Sequence, residues 1–171
     1  MLRDTAEAVR TQSSTAAAEA LGRGRQLDPL LTRWSHALET GREAARISPI
    51  RRDKGDPRDV RLLPSLTRAT RNLRVLVRRV TVALETGDSL PGELPELLDE
   101  LANQLDPMTA ADDAAGPMID LAGRLDPERL GATSLSGQVV VAQLRVSLVD
   151  LLEGIGLDHD RAREALPVLR S

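Results

Sequence analysis

The chain has 171 residues, enough to bury the core of one domain, and its lack of cysteine excludes disulfides and thiolate metal sites. With one tryptophan and neither phenylalanine nor tyrosine, the core must consist of Leu, Val, Ala and Ile, which favours interlocking helices over a β-sandwich. The net charge of −3 conceals a basic half and an acidic half. Residues 1–87 hold 17 basic and 10 acidic residues, whereas residues 88–171 hold 6 basic and 16 acidic residues. Such halves are expected to meet each other or a partner.

Start and stop signals divide the chain into seven predicted helices. Asp followed by Pro occurs in "LDP" at 27–29, 105–107 and 125–127 and in "GDP" at 55–57, where the carboxylate can cap free N–H groups and proline suits the first helical turn. Asp158 is predicted to cap in the same way, and glycines indicate the stops. The predicted helices are 2–21, 28–47, 58–86, 92–105, 117–125, 134–154 and 158–167. No window alternates with period two, so the sequence predicts an all-α antiparallel bundle that forms a single domain over 1–171.

Two of these helices differ in their pattern. The helix 58–86 is amphipathic, with an apolar arc of roughly 120° and arginines opposite it, and it is predicted to be the spine of the bundle. Its apolar arc comprises Leu66, Ala69, Leu73, Leu76, Val77, Val80, Ala83 and Leu84. The helix 134–154 carries apolar residues in nearly every direction, which predicts a mostly buried, central position. No stretch reaches the roughly 18 uncharged apolar residues of a membrane span, so we expect a soluble chain.

The basic surfaces supply the candidate binding residues. Arg51, Arg52, Lys54 and Arg58 lie in the segment 48–61, and Arg71, Arg74 and Arg78 lie on the arginine face of the spine helix. The simplest interpretation is that the acidic stretch 88–120, with nine acids and no base, folds back antiparallel and pairs with the arginine face. Contact with anionic phospholipid head groups is the alternative, at about 1 kcal/mol per basic residue near the surface. Nucleic acid is an unlikely partner because no aromatic residues interleave for base stacking.

No catalytic or metal-binding constellation is visible. His36 has Glu39 and Glu43 at helical spacing, but a di-metal bundle needs paired Glu-x-x-His motifs and two further glutamates, so a surface or half-buried histidine is predicted. His159 is predicted to be solvated. Adjacent acids such as Asp112 and Asp113 lack the apolar pocket that would raise a pKa for acid–base chemistry. We therefore expect no enzyme activity, no metal and no cofactor.

Three stretches carry a family resemblance: "LDPLLTRWSHALETGREAARISPIRR" (27–52), "LTRATRNLRVLVRRV" (66–80) and "LSGQVVVAQLRVSLVDLLEGIGLDHDRAREALP" (135–167). Together they resemble the cytosolic C-terminal region of actinobacterial membrane proteins of the fusaric acid resistance type, the FUSC or aromatic acid exporter family. The resemblance implies a non-catalytic helical domain on the cytoplasmic side of the cell membrane. It also implies that a membrane-embedded half of the same protein is the partner, and that the exporter is a homo-oligomer.

A second interpretation from a different class remains open. The chain could be a free-standing helical module that binds an anionic small molecule or a protein partner through Arg71, Arg74 and Arg78.

Overall fold

The computed structural model describes residues 1–47, 57–105 and 115–169. In this part of the chain the predicted all-α bundle is confirmed, with no strand and eight helices. These are α1 (Leu2–Arg10), α2 (Ser14–Arg25), α3 (Asp28–Ile47), α4 (Pro57–Thr86), α5 (Leu94–Leu105), α6 (Ala115–Gly123), α7 (Leu135–Gly154) and α8 (His159–Glu164).

The single helix predicted for 2–21 is wrong, because the chain breaks between α1 and α2. Gln12 takes a positive φ of 51°, and the hydroxyl of Ser13 accepts a hydrogen bond from the backbone N–H of Ala16 at 3.2 Å. A serine cap of this kind satisfies an N–H that would otherwise lack a partner at the start of a helix. The sequence has no glycine or proline here, and the local signal of a new helix is only the short run of possible N-cap residues Ser13, Ser14 and Thr15.

Helices α4 and α7 form the centre of the bundle as an antiparallel pair. Ser134, the N-cap of α7, donates to the carbonyl of Ser89 just beyond the end of α4, at 2.6 Å. At the other end, a Cβ added to Gly154 would lie 3.0 Å from Cβ of Ser65 in α4. The two helices therefore approach closely along their length, and the glycine allows this at the end of α7.

The burial of α4 follows the predicted apolar arc. Six of its residues are at most 4% exposed, and Leu66 and Leu84 are partly buried against the same core. The six are Ala69, Leu73, Leu76, Val77, Val80 and Ala83.

On α7 the residues facing the core are buried, whereas Leu135 and Val146 are exposed. By length and composition alone α7 could also cross a membrane, with a mean hydropathy of 1.4, but 56% of that window is buried inside the bundle.

The remaining helices surround the central pair. Helix α2 packs on α4, α8 packs on α7, and α6 lies between α5 and α7. Helix α5 was predicted to fold back along α4, and this is wrong: it packs mainly on α1 and α6. Its buried leucines, among them Leu98 and Leu101, form a second layer that α1 covers.

The predicted aspartate caps have mixed outcomes. Asp158 caps α8, with its carboxylate accepting from the N–H of Arg161 at 2.9 Å, as predicted. Asp126 accepts from the N–H of Glu128 at 2.9 Å but caps only a turn, and the following helix begins after Ser134. Asp28 is itself the first residue of α3, and its carboxylate binds Arg74 instead. The motifs at 55–57 and 105–107 extend outside the described residues.

We expect Leu76→Ala to lower the free energy of unfolding by about 2–5 kcal/mol, because Leu76 is fully buried and its truncation leaves a cavity. The neighbouring Val75 is 43% exposed on the other side of α4, so Val75→Ala is expected to stay within about 0.5 kcal/mol. Urea unfolding followed by circular dichroism measures both variants. Equal losses of unfolding free energy in the two variants would contradict the assignment of Leu76 to the buried face of α4 and of Val75 to the exposed face.

Candidate functional site

The predicted basic residues fall into two groups. Arg51, Arg52 and Lys54 lie outside the described residues. Arg58 lies in the first turn of α4 and is exposed, and Arg71, Arg74 and Arg78 lie further along the same helix. The spine helix is thus the described part of the predicted basic surface.

Arg71 and Arg78 face outward on α4. Both are exposed, and in the described part of the chain neither makes a hydrogen bond or an ion pair. They are two helical turns apart, about 10 Å along the axis, with the exposed Val75 between them. These three residues form the outward stripe of α4: two cations whose charge is not neutralised locally, on either side of a small apolar side chain.

Arg74 does not belong to this stripe. Its guanidinium forms an ion pair with Asp28 at the start of α3, and its side chain is 23% exposed against 54% for Asp28. The pair attaches α3 to the spine helix. Arg71, Arg74 and Arg78 therefore do not act as one set of available cations, which removes support for the binding module built on all three.

Arg68 also has a structural role, one that sequence reasoning missed. Its Nε donates to Oδ1 of Asp150 at 2.7 Å, and a terminal nitrogen donates to Oε2 of Glu153 at 2.7 Å. Asn72 donates to the other oxygen of Asp150 at 2.9 Å. The hydrogen bond to Asp150, more than any other contact, raises the pKa of the Arg68 guanidinium. Asp150 is 8% exposed, so its charge is compensated inside the α4–α7 interface.

His159 extends this polar network to the surface. Its Nδ1 lies 2.5 Å from Oε1 of Glu153, and its side chain is 62% exposed, in agreement with the predicted solvated position. His36 is also exposed, with its Nδ1 3.8 Å from the nearer oxygen of Glu39. Among the described residues no group of three or more His, Asp or Glu side chains is arranged to hold a metal ion.

The predicted pairing of the arginine face with the acidic stretch 88–120 is wrong for the described residues. Arg10 of α1 binds Asp99 at 2.8 Å and Glu96 at 3.3 Å, and Arg124 binds Glu100. The acids of α5 are thus neutralised by residues from α1 and from the end of α6, because α5 packs on those helices and not on α4. The basic half and the acidic half do meet, through Arg10 on α5 and through Arg68 on α7.

One further arginine is held inside the fold. Arg145 of α7 donates to the carbonyl of Leu125 at 2.5 Å and to that of Pro167 at 2.8 Å, which fixes the segment after α8 against α7. Burial lowers the pKa of Arg145, and the nearby charge of Asp126 opposes this shift. In sequence this residue was only an interruption of an apolar helix.

We expect the Arg68–Asp150 pair to contribute measurable coupling to stability. A double-mutant cycle with Arg68→Ala and Asp150→Ala should give about 1–2 kcal/mol, below the full value of a buried charged hydrogen bond because Arg68 is 49% exposed. The control cycle uses Arg161 and Asp158, whose side chains are 78% and 63% exposed at 3.5 Å, and should give at most about 0.5 kcal/mol. Equal couplings in urea unfolding would contradict a compensated charge at Asp150.

Comparison with known proteins gives one informative relative. The chain is 24% identical over 177 aligned positions to an uncharacterized protein of Corynebacterium glutamicum. The alignment covers 95% of this chain and 46% of the relative, so the chain spans slightly less than half of the relative's length. No protein-family model matches the chain, and no solved structure matches it significantly. The chain is therefore similar to part of a longer actinobacterial protein.

Proposed function

We propose that this chain is a non-catalytic cytosolic domain of a FUSC-type exporter, with a scaffolding, oligomerisation or regulatory role beside the membrane. The observation that carries the proposal is the outward stripe of α4, Arg71, Val75 and Arg78, on the longest described helix. Two cations without carboxylate partners in the described residues suit a surface of anionic lipid head groups. The exposed valine between them suits the boundary between head groups and acyl chains.

The length relation supports the same proposal. The C. glutamicum relative is more than twice as long as the part that matches this chain, so in that protein the matching region is joined to further sequence. If the proposal holds, the reading frame that encodes this domain, or the frame beside it, contains several hydrophobic stretches of about 20 residues each. Sequencing the locus tests this directly, and a locus without such stretches would contradict a FUSC-type assignment.

The charge of the stripe gives a binding prediction for the isolated chain. Arg71→Gln combined with Arg78→Gln should weaken binding to vesicles that contain phosphatidylglycerol by about 2 kcal/mol, a factor of about 30. Raising the salt concentration should weaken the wild type in the same direction, because exposed charges are screened. Sedimentation with vesicles measures the bound fraction, and vesicles of phosphatidylcholine alone give the reference.

The matched control removes the same charge elsewhere. Arg129 is 85% exposed and Arg163 is also exposed, both outside the stripe, so Arg129→Gln with Arg163→Gln should leave vesicle binding nearly unchanged. A third variant replaces Arg51, Arg52 and Lys54 with glutamine and measures the contribution of the segment 48–61. If the wild type does not distinguish anionic from neutral vesicles, membrane contact through these residues is refuted.

A further inference from the structure

Helix α3 lies on the bundle without being buried in it. Among the described side chains from Asp28 to Ala44, each is exposed or half-buried, although the helix carries Leu30, Leu31 and Trp34 at helical spacing. Leu30 is 50% exposed, and α3 packs mainly on α4. An amphipathic helix normally buries its apolar face. Here that face is turned toward a cavity that the other helices do not fill.

The cavity has a volume of about 600 Å³ and lies between α1, α3, α4 and α5. Its walls are mainly apolar, with Leu66 and Leu73 of α4 on one side and Leu31 and Trp34 of α3 on the other. Volumes of this size and walls of this composition are typical of small-molecule sites.

One polar group inside the cavity lacks a partner. Thr70 lines the cavity and is 5% exposed, and in the described part of the chain its hydroxyl makes no hydrogen bond. Thr67, Thr81 and Thr86 on the same helix each donate to the carbonyl four residues earlier. In the described part of the chain the fully buried unpaired side-chain atoms are Arg79 Nε and Gln104 Oε1, so the Thr70 hydroxyl is open to the cavity, where it can pair with a ligand group that forms hydrogen bonds.

The charges at the edge of the cavity do not favour an ion of either sign. Arg3 and Asp4 both line it, and both are already engaged: Arg3 donates to Asn103 at 3.0 Å, and Asp4 pairs with Arg23 at 2.9 Å. The ammonium of Met1, which also lines the cavity, pairs with Asp4 at 2.8 Å. These charges are thus already paired, and a bound ion would lose its hydration in an apolar cavity, which is costly.

We infer that this cavity is a binding site for a neutral, mainly apolar small molecule with one hydroxyl or similar hydrogen-bonding group, which pairs with Thr70. Helix α3 covers the ligand, and Trp34 contacts it. None of the stripe residues Arg71, Val75 and Arg78 lines the cavity, and at 100° per residue Leu66 and Leu73 lie about 120° or more around α4 from all three. The site is therefore independent of the proposed membrane contact.

The fluorescence of Trp34 tests the inference, because the chain has no other tryptophan, tyrosine or phenylalanine. The probe is 1-octanol, and octanoate and octylammonium are its charged counterparts. The expected result is a saturable blue shift with 1-octanol, as water beside Trp34 is displaced, and binding at least tenfold weaker for both ions. Absence of a saturable shift up to the solubility limit of 1-octanol, or equal binding of either ion, would overturn the inference.

Substitutions at two threonines locate the hydrogen bond. Thr70→Val preserves the shape of the side chain and should weaken 1-octanol binding about three- to tenfold. Thr81→Val is the matched control, since Thr81 is 8% exposed on the same helix but lies outside the cavity lining. Its hydroxyl donates to the carbonyl of Val77 at 3.0 Å, and its loss should leave the dissociation constant unchanged. Equal effects of the two substitutions would overturn the role assigned to Thr70.

A third variant changes the wall without touching the core. Leu30→Glu places a charge at a half-exposed position of α3, so the bundle should fold, as circular dichroism can verify, while binding of 1-octanol falls at least tenfold. Retained binding in folded Leu30→Glu would show that the fluorescence change arises elsewhere and would overturn the site.

Discussion

The close antiparallel contact of α4 with α7 is the constraint on which the rest of the bundle depends. Small residues permit it: Gly154 lies against Leu62 and Ser65, and a Cβ on Gly137 would lie 3.4 Å from the carbonyl oxygen of Ser89. Because interiors are closely packed, such a contact leaves little freedom in the relative position of two long helices. The other helices then cover what this pair leaves exposed, α2 and α3 on α4, and α6 and α8 on α7.

The same contact determines how the arginines of α4 are used. Arg68 faces α7, where Asp150 and Glu153 neutralise it, and Arg74 faces the start of α3, where Asp28 does so. Arg71 and Arg78 project between these directions and remain on the surface. A face that is uniformly basic in sequence is therefore divided into structural cations and outward cations. Only the latter can contact a charged surface, and the proposed function at the membrane rests on them.

Helix α3 is the exception to the general burial of apolar residues. Helices α4 and α7 fully bury many of their leucines and valines, whereas the leucines and the tryptophan of α3 are only partly covered. Apolar surface in contact with water costs about 25 cal/mol per Å² relative to burial, so a ligand that fills the cavity beneath α3 would gain from it. A hydrogen bond to the Thr70 hydroxyl would orient the ligand in the cavity, because hydrogen bonds form only within a limited range of distances and angles.

Much of the fold is encoded locally and could be predicted from the sequence. The apolar arc of α4, the helices α3, α5 and α7 to within a few residues, and the cap at Asp158 follow from spacings of three to four residues and from the chemistry of single turns. The break at Gln12 was missed because the local signal is a short run of hydroxyl residues, with no glycine or proline, and only the structure shows that Ser13 caps α2. The basic residues could also be identified from the local sequence. The sequence predicted Arg71 and Arg78 as candidate binding residues, but it did not show which residues surround them.

What only the tertiary structure decided is which distant residues meet. The acids of α5 were expected on α4 because they follow it in the chain, but apolar burial places α5 on α1 and brings Arg10 to Asp99, 89 residues away. Asp150 and Arg68 are 82 residues apart, and no spacing rule relates them. Charge pairs add little compared with the packing of apolar faces, so the packing selects the partners. The sequence determined helices, faces and net charge by itself; their pairing, and the cavity under α3, depend on how all the faces pack together.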